Sequence, residues 1–222
     1  MRARPKARSA ATIEADGVRL PADLAVPEAA RGVAIFAHGS GSSRYSPRNR
    51  MVAGRLEEEG FATVLADLLT EDEEAEDSIS GALRFDIPLL AGRVVALVDW
   101  AAGSRQLPVG LFGASTGAAA ALVAAARRTG TVQAVVSRGG RPDLAGEALH
   151  EVHAPTLLVV GGDDSPVLEL NERAAKVLPG EHRVDIIPGA THLFEEPGAL
   201  EEVAHRAAGW FSVHLAGGVG EA

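Results

Sequence analysis

The sequence has no cysteine, which excludes disulfides and thiolate metal sites and says nothing of the redox compartment. Aromatic residues make up only 4% of it against 46% apolar residues, so a core must be built mainly from Ala, Val, Leu and Ile. Positive charge is in deficit too. Lys and Arg number 21 against 30 Asp and Glu, a net charge of −9. A chain this acidic has no large attraction for nucleic acid or an anionic membrane, and a small-molecule substrate fits better. No uncharged apolar run approaches the roughly 18 residues of a membrane span. The basic start MRARPKARSA is not followed by the apolar stretch of a secretory signal, so a cytoplasmic location without a membrane partner is expected.

What is present is alternation of two kinds. From Ile13 to Val26 apolar and polar residues alternate around Asp16-Gly17, a pair suited to a two-residue turn, which predicts an antiparallel hairpin. Short apolar runs then recur at residues 32–37, 61–66, 109–112, 133–137, 156–160 and 184–187. Segments suited to helices lie between and after them, at 47–59, 83–102, 115–128, 143–151, 168–178 and 197–215. This βα alternation predicts an α/β fold, a mostly parallel sheet with helices on both faces and an antiparallel N-terminal hairpin. One domain over residues 1–222 is expected, with residues 1–10 a basic tail and 217–222 frayed. The acidic run TEDEEAEDS, Thr70 to Ser78, reads as a solvated loop, because its acids are consecutive rather than set at a ligand geometry.

The chemistry gathers around one serine. Gly113-Ala114-Ser115-Thr116-Gly117 matches GxSxG and lies where the strand PVGLF gives way to an alanine-rich helix, the context that this nucleophile motif needs. An ordinary strand-to-helix turn would also use small residues, so partners decide the matter. A serine hydroxyl needs a histidine to take its proton and a carboxylate to orient that histidine. Of the seven histidines, His192 lies in a loop just beyond a predicted strand, at the end of the sheet where parallel α/β folds bind ligands. Asp163 and Asp164 follow the strand before it. Asp164 is assigned as the acid, with Asp163 capping the turn; the reverse remains the alternative. For an oxyanion, the glycine-rich loop His38-Gly39-Ser40-Gly41 offers the Ser40 N–H beside the Thr116 N–H. Neither GxxxxGK[ST] nor GxGxxG is present, so no nucleotide is expected; a serine nucleophile with a histidine base needs no cofactor or metal, and none is expected.

The order Ser115, Asp164, His192, with HGSG after an early strand, resembles the α/β-hydrolase superfamily over nearly the whole chain. HGSGSSRYSPRNR, GASTGAAAAL, VVGGDDSPVLELN and PGATHLFEEPGALEEV resemble more narrowly the small dienelactone-hydrolase-like enzymes. That group includes a branch fused to phosphoribosyltransferase domains, and no such second domain is expected here. Dienelactone hydrolases proper carry cysteine at the centre of the motif, so the resemblance implies a serine ester hydrolase rather than that particular substrate. The short segment after Ser137 leaves no room for a helical cap, which implies an open cleft and small or short-acyl esters. Arg44, Arg48, Arg50, Arg138 and Arg141 sit in loops on the same side, where basic residues could serve either as surface charge or to attract an anionic substrate. The alternatives to an ester hydrolase are a non-catalytic protein of the same fold that binds a small molecule or partner, and an acyltransferase or thioesterase using the same three residues.

Overall fold

The Asp16-Gly17 hairpin forms where alternation calls for it. Strands β1 (Ser9–Ala15) and β2 (Val18–Ala25) pair antiparallel, with Ala15 opposite Val18. Asp16 and Gly17 have φ of 53° and 77°, the two positive values of a turn whose twist matches its strands. The computed structural model describes residues 8–215. The apolar runs become β3 (Val33–Ala37), β4 (Ala62–Ala66), β5 (Val109–Ala114), β6 (Val132–Arg138), β7 (Thr156–Gly161) and β8 (His182–Ile187). They form one sheet in the order β1-β2-β4-β3-β5-β6-β7-β8, antiparallel from β1 to β4 and parallel from β4 to β8. Every residue of β3, β4, β5 and β7 is buried, as strands covered on both faces must be.

The helices are α1 (Pro47–Glu58), α2 (Glu71–Ser80), α3 (Ile87–Arg105), α4 (Thr116–Arg127), α5 (Ser165–Ala175) and α6 (Ala199–His214). On one face Val52 and Leu56 of α1 join Val203 and Phe211 of α6 in a core with Phe36 and Phe112. On the other, Leu97 and Val98 of α3 join Ala120 and Leu122 of α4 over Ile35 and Leu111. Ile87–Ser104 is long and apolar enough, by length and composition, to cross a membrane. Here it is a core helix, and its buried Arg93 donates to Glu73 at 2.8 Å and to the Asp16 carbonyl at 2.9 Å.

Several expectations need correction. The acidic run is not a loop but most of α2. The Thr70 hydroxyl accepts from the Glu73 N–H while the Glu73 carboxylate accepts from the Thr70 N–H, a reciprocal cap. The four acids of the first turn then lie at the positive end of the helix dipole. The helix expected at 143–151 is a 3-10 segment, Pro142–Glu151, kinked at Gly146, whose φ of 55° and ψ of −135° break the helical path. Helix α5 begins at Ser165, three residues before the expected start, with proline in its first turn. The predicted basic tail is too long. Arg8 pairs with the buried Glu57 at 2.9 Å, supplying the cation that a buried carboxylate needs, and β1 starts at Ser9. Residues 1–7 and 217–222, the remainder of the predicted tails, lie outside the described residues.

The reciprocal cap can be tested directly. Thr70→Ala removes the acceptor for the Glu73 N–H, and urea denaturation should show a loss of about 0.5–2 kcal/mol.

Candidate active site

Strand β5 ends in a residue with an unusual backbone. Ser115 has φ 51° and ψ −121°, a strained conformation for a residue with a side chain. Its neighbours make the turn sterically possible. A Cβ on Gly117 would lie 2.3 Å from the Ala37 carbonyl oxygen, and one on Gly113 would lie 2.4 Å from the Ala118 Cα. Only glycine fits at either place. The turn is tied to the next strand as well: the Ser115 N–H donates to the Arg138 carbonyl at 3.2 Å, and the Ser115 carbonyl accepts from the Ala118 and Arg141 N–H groups at 3.1 Å each.

The loops after β7 and β8 complete a hydrogen-bonded line. His192 Nδ1 lies 2.7 Å from Asp164 Oδ2, and His192 Nε2 lies 3.3 Å from Ser115 Oγ. Nδ1 therefore donates to the carboxylate, which leaves Nε2 free to accept from the serine hydroxyl. Asp164 is mostly buried, with a side chain 13% exposed, and the His192 side chain is 38% exposed at the cleft. Asp163 points elsewhere. It is exposed, its N–H donates to the Ala190 carbonyl at 3.0 Å, and among the described residues its carboxylate makes no capping bond, contrary to the role expected for it. The α5 N-cap position belongs to Asp164, whose carboxylate faces the imidazole instead.

The expected oxyanion donors are only half free. Thr116 opens α4, so its N–H has no acceptor within the helix. The Ser40 N–H, by contrast, donates to Thr116 Oγ1 at 2.8 Å. The glycine loop thus leans on the hydroxyl of the very residue whose amide stands beside it.

Sequence reasoning gave His38 no role of its own, yet it anchors this loop. Its Nε2 accepts from the Leu68 N–H at 3.1 Å, so Nδ1 carries the proton and donates to the Gly39 carbonyl at 3.0 Å. Burial lowers its pKa below the ordinary imidazole value, against the opposing pull of the Gly39 hydrogen bond and the charges of Asp67 and Glu74. A histidine directly between a wholly apolar strand and a glycine was the available signal.

A cavity of about 240 Å³ opens over Ser115, lined also by Gly39, Asn49, Arg138, His192 and Leu193. The loop arginines separate into two groups around it. Arg44 pairs with Asp67, Arg50 with Asp23 and Arg141 with Asp143, so these three are neutralised away from the cavity. Arg48 and Arg138 line it.

His38 makes stability depend on pH. The unfolded chain takes up a proton near an imidazole pKa of about 6.5. Folded His38 resists until lower pH, so the unfolded state binds more protons in that window and stability falls as pH drops through it. In urea titrations the advantage of wild type over His38→Asn should therefore shrink from about pH 7.5 to about pH 5.5. A gap that stayed constant would mean His38 does not resist protonation.

The sequence matches the Dienelactone hydrolase family over residues 20–213. It is 56% identical to a dienelactone hydrolase from Anabaena variabilis of known crystal structure, which it superposes on with a TM-score of 0.93, covering 95% of this chain and 99% of that one. Est1E from Butyrivibrio proteoclasticus shares the fold at 20% identity and a TM-score of 0.77, over 94% of this chain and 99% of the other. A Mycobacterium tuberculosis protein whose provisional name is phosphoribosyl transferase is 57% identical over 208 residues, 92% of this chain and 46% of that protein. The chain thus spans about half the length of the curated relatives it matches. The chain belongs to the dienelactone hydrolase family and is an α/β hydrolase.

Proposed function

We propose that this hydrolase cleaves a carboxylic ester of a small or short-acyl substrate through an acyl-enzyme on Ser115, without a cofactor. The observation that carries the reading is the unbroken line Asp164–His192–Ser115, with 2.7 Å and 3.3 Å links, on a strained turn. Ser115 Oγ attacks the ester carbonyl as His192 Nε2 takes its proton, and Asp164 stabilises the imidazolium that forms. The tetrahedral oxyanion is held by the Thr116 N–H. The Ser40 N–H joins it by exchanging the Thr116 hydroxyl for the oxyanion. Collapse expels the alkoxide, which takes the proton from Nε2, and a water activated by the same imidazole hydrolyses the acyl-enzyme.

A fluorophosphonate probe tests the nucleophile. Labelling should map to Ser115 and vanish in Ser115→Ala; labelling at another serine would refute the mechanism. The two aspartates give a sharper contrast. Asp164→Asn should lower kcat by about three to four orders of magnitude with the fold retained, because the histidine loses control of its tautomer. Asp163→Asn should stay close to wild type.

Substrate size follows from what covers the cleft. Only Gly139, Gly140 and Arg141 separate β6 from the 3-10 segment, so no cap closes over the cavity of about 240 Å³ there. Nitrophenyl acetate or butyrate should be turned over faster than nitrophenyl palmitate, measured as kcat/KM; a preference for palmitate would overturn this account of the cleft.

A further inference from the structure

One buried amide ties the helix that begins at the acid to the loop that holds the nucleophile turn. Asn171, on the buried face of α5, is wholly shielded from solvent, and its Nδ2 donates to two backbone carbonyls, Val167 at 2.8 Å and Gly140 at 3.0 Å. The first is one turn back in the same helix. The second lies between β6 and the 3-10 segment, and among the described residues no other side chain of α5 hydrogen-bonds to that loop. Two facing carbonyls also fix which way the amide points, since a turned amide would set oxygen against oxygen. Its Oδ1 is then left without a donor. A buried unpaired acceptor is a cost that leucine would avoid at this place, so the tie itself calls for a reason.

The loop end of the tie is firm. A Cβ on Gly140 would lie 2.0 Å from Ser137 Oγ and 2.7 Å from Ala118 Cβ, so the loop is pressed against the end of β6 and the start of α4. On both sides of Gly140 the chain bonds to the nucleophile turn, through the Arg141 N–H at 3.1 Å and the Arg138 carbonyl at 3.2 Å. The helix end is Asp164. It stands seven residues before Asn171, two helical turns along the same face, and its carbonyl accepts the Leu168 N–H at 2.9 Å as α5 begins. The His192 ring spans the gap from this carboxylate to Ser115 Oγ, with links of 2.7 Å and 3.3 Å.

We infer that Asn171 is a positioning residue for the reaction: by fixing α5 to the Gly140 carbonyl, it sets the distance between Asp164 and Ser115 that the His192 ring must span. The Ser115 turn is held independently by its own three backbone bonds, so loss of the tie displaces the acid rather than the nucleophile. An imidazole has a fixed width, and its two hydrogen bonds cannot both stay short if α5 slides. A misplacement of about 1 Å, caused by a residue that touches no substrate, can cost about a hundredfold in rate. The inference rests on the Ser115 mechanism proposed above, so its test includes a reaction that needs no ester.

Two variants cut this bond and little else. Asn171→Leu removes both donors at similar volume. Asn171→Ser keeps a hydroxyl for the Val167 carbonyl, four residues back in the helix, and leaves Gly140 without its donor. Both should lower kcat for nitrophenyl acetate by about tenfold to a hundredfold, with KM within about twofold of wild type, the pattern of a contribution made only in the transition state. The second-order rate of fluorophosphonate labelling at Ser115 should fall in step. In an Asp164→Asn background the same substitutions should slow labelling by less than about twofold, because the contact they align is already gone.

An Asn171 that only stabilises the fold behaves differently. Its loss would lower Tm and leave kcat of the folded enzyme near wild type, as Val94→Ala, a truncation in the core at α3, should do. Its effect on labelling would also multiply with that of Asp164→Asn. Either result would overturn the inference and leave the esterase standing. Should Asn171→Leu fail to fold, Asn171→Ser decides alone. Labelling that slows with Asn171→Ser, in an enzyme that hydrolyses no ester, would keep the positioning role and remove the ester reading. A wild type that neither labels nor turns over would remove both.

Discussion

The strained backbone of Ser115 is the constraint around which the rest of the site is arranged. A residue with a side chain at φ 51° and ψ −121° costs about 1–3 kcal/mol and persists only where its surroundings overdetermine it. Three hydrogen bonds to the Arg138–Arg141 loop and to α4 do so, together with the close approach of Gly117 to the carbonyls of Ala37 and His38. The same contacts bring three strand ends to one point. The glycine loop after β3, the nucleophile turn after β5 and the arginine loop after β6 are positioned by mutual contact rather than separately.

Two buried titratable side chains flank this point, and they meet desolvation in opposite ways. His38 becomes neutral, with a donor on one nitrogen and an acceptor on the other, and so acts as a spacer between the β3 and β4 loops. Arg138 has too high an intrinsic pKa to follow that route and stays charged even when lowered to about 10. One side chain therefore finishes its hydrogen bonding within the fold, while the other keeps a charge at the cavity wall.

Much of this was legible in the sequence because its signals are local. The strand-Gly-x-Ser-x-Gly-helix pattern places Ser115 at the end of β5, and the histidine after the last strand is the one that reaches it. The signals that failed are those set by reciprocity or by neighbours distant in sequence. Thr70-x-x-Glu73 is a capping pair, but within an unbroken acidic run its helix-starting meaning is hidden by the apparent repulsion of like charges, which the dipole of α2 and the cations Arg84 and Arg93 relieve. The capping role expected for Asp163 failed because the path of the chain into α5 puts Asp164, the assigned acid, at the N-cap position and turns its carboxylate toward His192. That Ser40 gives its N–H to a hydroxyl 76 residues away has no local signature at all.

Packing of α6 against α1 also has a meaning for a chain still emerging from the ribosome. Phe211 meets Phe61 edge-on at 6.2 Å, and Leu215 packs beside Gly32 and Gly110, so the last elements cover what the first ones leave bare. Parallel pairings of long sequence separation form slowly, and nascent chains carry their unfinished surfaces for the whole interval of synthesis. Until α6 is translated, the sheet face bearing Phe36, Leu65 and Phe112 has α1 but not its second covering helix, and part of that apolar surface stays exposed to water.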